Sequence, residues 1–451
     1  MARVLISFLG YGNPRTPIEE LGYEDTKYSF SNGEQITSPL SQEAIVKHVG
    51  VHQIDQVITL MTAESKQRHY QELHKRLIAL GIKDEQMIWD DTSITSKQSH
   101  EDQWSWFNAL VSHIHRGDEV IFDFTHGFRS VPIIFSSAIN YLQRVKHINV
   151  LHAFYGYLTD FNSSPKGGQI IDMVAFYQLN EWVDGISALV RDANANVLAD
   201  LAERSVIDDS DFAGFKSLGN PELVQALREL TACIKEINMN LVPEKASYAL
   251  QVLKAQKAKC VGPDLQLLEM AIDTFSELGS ALHHGRYNQD YFKVQLALLD
   301  ALIQHQLEMQ AVTVMRELIG SIGMLGAPEE HVNRNMTTSK GRDARRRFGE
   351  VFIAMCQYPE AKWKFKGDPV TRDHEHLKLF WQILKDKQLL PYFEFVPDMV
   401  KLRNAFDHAW TSSGLKGPSA NRSSQYRDQL KLLIQELITH EIIPCGEPKK
   451  D

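Results

Sequence analysis

Arg403, Asn404 and His408 stand in the stretch LRNAFDHAW (402–410) as an R-N-x-x-x-H arrangement. These residue types suit cleavage of RNA without a metal. A guanidinium can stabilise the charge that builds on phosphorane oxygens when a ribose 2′-OH attacks the adjacent phosphate. An imidazole can move the proton or place the nucleophile, and a neighbouring amide can orient either group. The opposing reading is ordinary: Arg403 pairs with Asp407 along a helix, an exposed bond worth little, and His408 sits on the flank. The spacing is weak support by itself, since 18 His and 21 Arg in 451 residues give about one R-x4-H pair by chance. It occurs once; Arg68 and His74, six apart, look like an accident of the same kind.

A second constellation is DFTHGFRSVP (123–132). Thr125, His126, Gly127 and Arg129 fall between an apolar strand and a helix start. There a glycine permits the turn, helix amides face an anion, Arg129 can hold phosphate and His126 can meet a base. A Gly turn with Ser130 as N-cap and nothing bound is an equal alternative. FLGYGNP (8–14) and TAES (62–65) end two further strands. GYGNPR is a broken dinucleotide fingerprint, because Arg15 replaces the third glycine and Pro14 and Pro17 lead away from a helix. A nicotinamide or flavin cofactor is therefore not expected. No metal is expected either: His113 with His115, and His283 with His284, lack carboxylate or cysteine partners at ligand spacing.

Basic residues gather in SKGRDARRRF (339–348), with Lys340, Arg342, Arg345, Arg346 and Arg347, and alternate with aromatics in KWKFKG (362–367). Phosphate contact with base stacking is one reading; a solvated helix face is the other. Net charge is −9, so any nucleic-acid contact must be local. The four cysteines, Cys233, Cys260, Cys356 and Cys445, are scattered and suit a reducing cytoplasm. No signal peptide or membrane span is expected.

The elements that must position these residues change character along the chain. Up to about residue 165, apolar strands (3–10, 55–62, 84–91, 118–125, 147–158) alternate with helical periods, and Asn32-Gly33 marks a hairpin. This predicts an α/β, Rossmann-like domain over 1–165 with a mainly parallel sheet. FNSSPKGG (161–168) reads as a linker. An all-α domain over 166–451 follows, with helical periods at 174–204, 220–240, 245–257, 262–284, 290–324, 343–357, 373–387, 397–411 and 424–440. In the helix 397–411, Leu402, Phe406 and Ala409 form the expected buried face.

SFLGYGNP, DFTHGFRSVP after a central strand, FYGY at the last strand and RNAFDH near the C-terminus, in this order, resemble the CARF–HEPN ribonucleases of type III CRISPR systems. The resemblance implies an N-terminal CARF domain that binds cyclic oligoadenylate, with cyclic tetra-adenylate the expected activator. A C-terminal HEPN domain would cut single-stranded RNA as a homodimer or higher oligomer. It maps ligand binding to Gly10, Tyr11, Gly12, Asn13, Thr62, Ser65, Thr125, His126, Gly127 and Arg129, and catalysis to Arg403, Asn404 and His408. Glu64 departs from the pattern as an awkward neighbour for phosphate. RNA would use Lys340, Arg342, Arg345, Arg346 and Arg347. Thr125 and Ser65 are also placed to act on the ligand itself. The alternatives are a non-enzymatic nucleotide sensor or partner-binding module with a degenerate helical domain, or a small-molecule enzyme using the α/β half alone.

Overall fold

The computed structural model describes residues 2–17, 22–92, 94–95, 99–126, 131–205, 215–260, 262–279, 287–328, 331, 339–363, 371–411 and 420–445. Gly127, Arg129, His283, His284 and the KFKG end of KWKFKG lie outside the described residues. The chain divides into two compact units, Met1–Glu181 and Trp182–Asp451.

The first unit runs β1 (Arg3–Leu9), β2 (Thr26–Ser29), β3 (Gln35–Ser38), α1 (Ser41–Val49), β4 (Gln56–Met61), α2 (Ala63–Leu80) and β5 (Met87–Asp90). It continues with α3 (His100–His113), β6 (Glu119–Asp123), α4 (Val131–Val145), β7 (Asn149–Asp160), β8 (Lys166–Asp172) and the start of α5 (Val174–Asp192). The eight strands form one sheet in the order β3-β2-β8-β7-β6-β1-β4-β5. β1 is parallel to both β4 and β6, while the β2–β3 and β7–β8 pairs are antiparallel. The continuous apolar run of β1 follows from cover on both faces. Ile6 packs with Phe122, Trp106 and Phe135 on one side; Leu5 packs with Val57, Leu73 and Ile121 on the other.

FNSSPKGG is not a linker. It turns β7 into β8, and β8 then inserts between β7 and β2. Its glycines are packing residues: a Cβ on Gly168 would lie 2.7 Å from Thr26 Cγ2 on the adjacent strand. The boundary expected at 165/166 therefore falls inside a hairpin, and the first unit extends to Glu181.

The second unit is helical among its described residues. It contains the end of α5, then α6 (Asn196–Ser205), α7 (Pro221–Lys235), α8 (Val242–Lys257), α9 (Pro263–Phe275), α10 (Gln289–Gln304) and α11 (Glu308–Met324). After these come α12 (Ser339–Ala344), a π-helical segment (Arg345–Glu350), α13 (Val351–Gln357), α14 (Thr371–Asp386), α15 (Val396–Asp407) and α16 (Ala420–Thr439). The periods 174–204 and 290–324 are each two helices, interrupted where Ala193 (φ 47°) and Gln306 (φ 58°) turn left-handed. α15 ends at Asp407 and not at residue 411, because Ala409 (φ 46°) and Trp410 (φ 61°) reverse the chain and Trp410 N–H donates to Ala405 O at 2.7 Å. Its buried stripe is Met399, Val400, Leu402 and Ala405. Phe406 is only half-buried and Ala409 is exposed, so the expected Leu402–Phe406–Ala409 face is corrected.

Candidate ligand pocket and candidate catalytic motif

From β1 the chain builds β4 and β5 on one side, then crosses to β6 and β7 on the other. The carboxyl ends of β1 and β6 thus flank a topological switch point, where open α/β sheets bind ligands. A pocket of about 310 Å³ lies there, lined by Gly12, Asn13, Tyr23, Thr26, Tyr28, Thr125, His126, Gly156, Tyr157 and Lys166, among others. The FLGYGNP and DFTHGFRSVP loops therefore meet in space, together with FYGY. Gly156 N–H donates to Thr125 Oγ1 at 2.9 Å, and a Cβ on Gly156 would lie 2.9 Å from the Thr125 side chain. Only glycine permits that approach.

Several residues were invisible as site residues in the sequence. Tyr23 lies between His126 and His69, with ring centroids 4.8 and 4.9 Å away and the ring planes tilted by 51° and 49°. His69 Nε2 bonds Tyr11 O at 2.8 Å. Arg68 donates to Thr16 O at 2.5 Å and lies over the Tyr11 ring, 4.9 Å from its centroid. Arg68 and His69 thus fasten the loop that follows β1; His74 faces Asp84 instead. One signal existed for His69. Ser65, His69, Leu73 and Leu77 recur every fourth residue on α2 and are all buried, so a histidine occupies an apolar stripe.

Thr62 and Ser65 do not line this pocket. They form a capping box at the start of α2: Ser65 N–H donates to Thr62 Oγ1 at 3.2 Å, and Thr62 N–H to Ser65 Oγ at 3.0 Å. Glu64 is exposed. Tyr11 is 40% exposed, and Gly10 precedes it at the end of β1.

Two buried groups at the end of β6 are electrostatically unusual. Asp123 is buried, accepts from Thr125 N–H at 2.9 Å and from Ser41 Oγ–H at 3.2 Å, and burial pushes its carboxyl up to about 6. Burial and the neighbouring His69 push His126 down to about 4, so it is neutral at pH 7. Its Nε2 is buried and has no hydrogen-bond partner among the described residues. A neutral imidazole beside Tyr23 and Tyr28 suits an uncharged heterocycle, and Lys166 suits an anion.

In the second unit, Arg403 lies in the last turn of α15, where its guanidinium bonds Asp407. Asn404 is exposed; His408 is the exposed C-cap, with its N–H donating to Asn404 O at 3.0 Å. The three residues are adjacent, but one copy does not enclose them. Among the basic run, Lys340, Arg342 and Arg346 are exposed and Arg347 is half-buried. Arg345 is corrected as a surface contact: it turns inward and donates to Glu317 O and Glu317 Oε2 at 2.5 and 2.9 Å. Arg316 pairs with Glu350 beside it. Burial alone would raise the Glu350 carboxyl, but the Arg316 hydrogen bond, reinforced by the charges of Arg316, Arg345 and Arg403, holds it below the usual range.

The described residues contain no grouping of His, Cys, Asp and Glu able to hold a metal. Nor, among them, is any helix long and apolar enough to cross a membrane. His113 bonds Asp90 at 2.9 Å.

Residues 4–163 match the family described as CRISPR system endoribonuclease Csx1, CARF domain. A curated relative, CRISPR-associated protein MJ1674 of Methanocaldococcus jannaschii, is 21% identical over 248 residues, covering 45% of this chain and 38% of that protein. The match thus spans well under half of that relative's length. The family match ends before the helical unit begins.

Proposed function

We propose, from the premise that residues 4–163 form a CARF domain of the Csx1 type, that this CRISPR-associated chain is a ribonuclease switched on by cyclic oligoadenylate. The observation that carries the reading is the switch-point pocket, lined mostly by residues of the matched region, with neutral His126 and aromatic residues for adenine and Lys166, just beyond that region, for phosphate. Asn13, Gly12, Thr125 and His126 would contact the ring. Thr62 and Ser65 would act by setting the start of α2. In the helical unit, Arg403 would stabilise the phosphorane and His408 would move the proton of the attacking 2′-OH. Asn404 would orient them, and no metal is required. Because one copy leaves these groups exposed, two copies related by symmetry would complete the site. Activation requires that the cyclic ligand bind the competent arrangement more tightly than the resting one.

The test is a fluorescent single-stranded RNA assay in EDTA with cyclic tri-, tetra- and hexa-adenylate in turn. Cleavage stimulated by cyclic tetra-adenylate and lost in Arg403→Ala and His408→Ala is expected. Full activity without nucleotide, or none with any ring, refutes the reading. A second reading, a non-enzymatic sensor, is favoured by one observation: Arg403 is occupied by Asp407. It predicts nucleotide binding with no cleavage.

A further inference from the structure

We propose that the helical unit holds a stacking subsite for one unpaired nucleobase of single-stranded RNA, walled by Tyr358 and Trp363 with Lys362 on the phosphate side. The inference rests on the ribonuclease reading for its substrate class and adds where and how that substrate is gripped.

A cleft of about 730 Å³ opens along α13 and the turn after it, lined by Val351, Ala354, Tyr358, Lys362 and Trp363, among others. The turn is built to hold an indole in place. α13 ends at Gln357, leaving its last carbonyls without helical partners. Trp363 Nε1–H takes up two carbonyls there, donating to Met355 O at 3.2 Å and Tyr358 O at 2.8 Å. The Trp381 ring meets Trp363 at 90°, centroids 5.2 Å apart. The indole is thus tied through its only polar atom, and what it offers the cleft is apolar surface. Tyr358 leaves helical geometry (φ −127°, ψ 144°) and keeps 56% of its surface exposed.

Charge placement selects the occupant. Lys362 is exposed. Glu350 also lines the cleft, paired to Arg316 and under the charge of Arg403. α13 itself packs on α15, which carries Arg403. Aromatic faces interleaved with cations are the means by which proteins hold single strands, bases stacking while the backbone follows the positive charge. RNA bases are read in this way when unpaired and splayed from their neighbours. An aliphatic peptide segment would fill the cleft but gain nothing from Lys362.

The experiment measures equilibrium binding of a labelled single-stranded RNA to the full chain in an uncleaving His408→Ala background, with cyclic tetra-adenylate present. Adding Tyr358→Ala is expected to weaken binding about tenfold, the loss of one stacked base, while Tyr358→Phe keeps it. The same RNA with abasic ribose throughout should bind equally to both proteins. Unchanged affinity in the alanine variant, or an equal loss with abasic RNA, overturns the subsite. Tighter binding of an acidic peptide than of RNA by the same cleft overturns it in favour of a protein partner. Rapid cleavage by His408→Ala refutes its catalytic role and leaves the binding comparison readable at 4 °C in Tyr358 variants. Absence of RNA binding by the parent chain refutes both readings.

Discussion

Arg403 is held by Asp407 one turn along α15, both about one third exposed. A pair this exposed contributes less than about 1 kcal/mol, so Arg403→Lys should leave the melting temperature nearly unchanged. Its effect on cleavage should be large, at least a hundredfold in initial rate, because lysine keeps the charge but loses the planar fork that fits phosphate oxygens. Retained cleavage would remove Arg403 from the mechanism. Asp123 gives a second residue-scale test. Burial pushes its carboxyl up to about 6 in the fold, above the ordinary aspartate value. The fold therefore binds the proton more tightly, and this stabilisation is complete below pH 4 and lost as pH rises through 6. Asp123→Asn, whose Oδ1 can still accept from Thr125 N–H while its amide nitrogen donates to the Ser41 hydroxyl oxygen, should raise stability at pH 7.5 by about 2 kcal/mol relative to pH 4. Thermal melts across that range check it; a parallel pH profile in both proteins would show that Asp123 is not the titrating group. His126 acts in the opposite sense, with stability lost as pH falls from 6.5 toward about 4, so the comparison must be made between variants.

At the scale of elements, Gly156 joins β7 to the loop after β6. Gly156→Ala should force Thr125 aside, destabilise the first unit by about 1–3 kcal/mol and weaken cyclic oligoadenylate binding, as calorimetry and ligand titration would report. Ser65→Ala is the contrasting case: loss of the capping box costs about 1 kcal/mol, and because Ser65 does not line the pocket, ligand affinity should fall less than in Gly156→Ala. The contrast also shows what the sequence could and could not reveal. Strand ends rich in Gly, Thr and His were legible as a candidate site because strand periodicity placed them at the sheet's carboxyl edge, and the structure brings them around one cavity. Thr62 and Ser65 stood at an equivalent strand end, yet their hydroxyls are spent on each other. Tyr23 carries no periodic signal and enters the pocket only through tertiary folding. The helix breaks at Ala193 and Gln306 were hidden because neither residue is Gly or Pro. β8 was hidden for the opposite reason: its Gly167-Gly168 pair is a turn signal in sequence and a close-packing pair in the sheet.

For the whole molecule, the order of the sheet sets where the chain can be cut. β8 lies between β2 and β7. A fragment ending at residue 165 would orphan the β2–β3 hairpin and expose the edge of β7, so it should aggregate. One ending at Asp192, which keeps β8 and all of α5, should stay in solution and bind cyclic oligoadenylate. Gel filtration and ligand titration distinguish the two, and equal behaviour of both fragments would contradict the topology.

The parallel pairing of Thr26–Ser29 with Lys166–Gln169 also fixes a timetable for synthesis. Tyr23, Thr26 and Tyr28 are made early, but they cannot take their place as a pocket wall until the strand that carries Lys166 has emerged, some 140 residues later in the chain. Such distant pairing is slow to form. Chains are made at about 5–20 residues per second and domains fold as units in N-terminal order. The switch-point pocket is therefore complete while Arg403 and His408 are still untranslated. A newborn chain acquires the pocket proposed to regulate it before it acquires the groups proposed to cut.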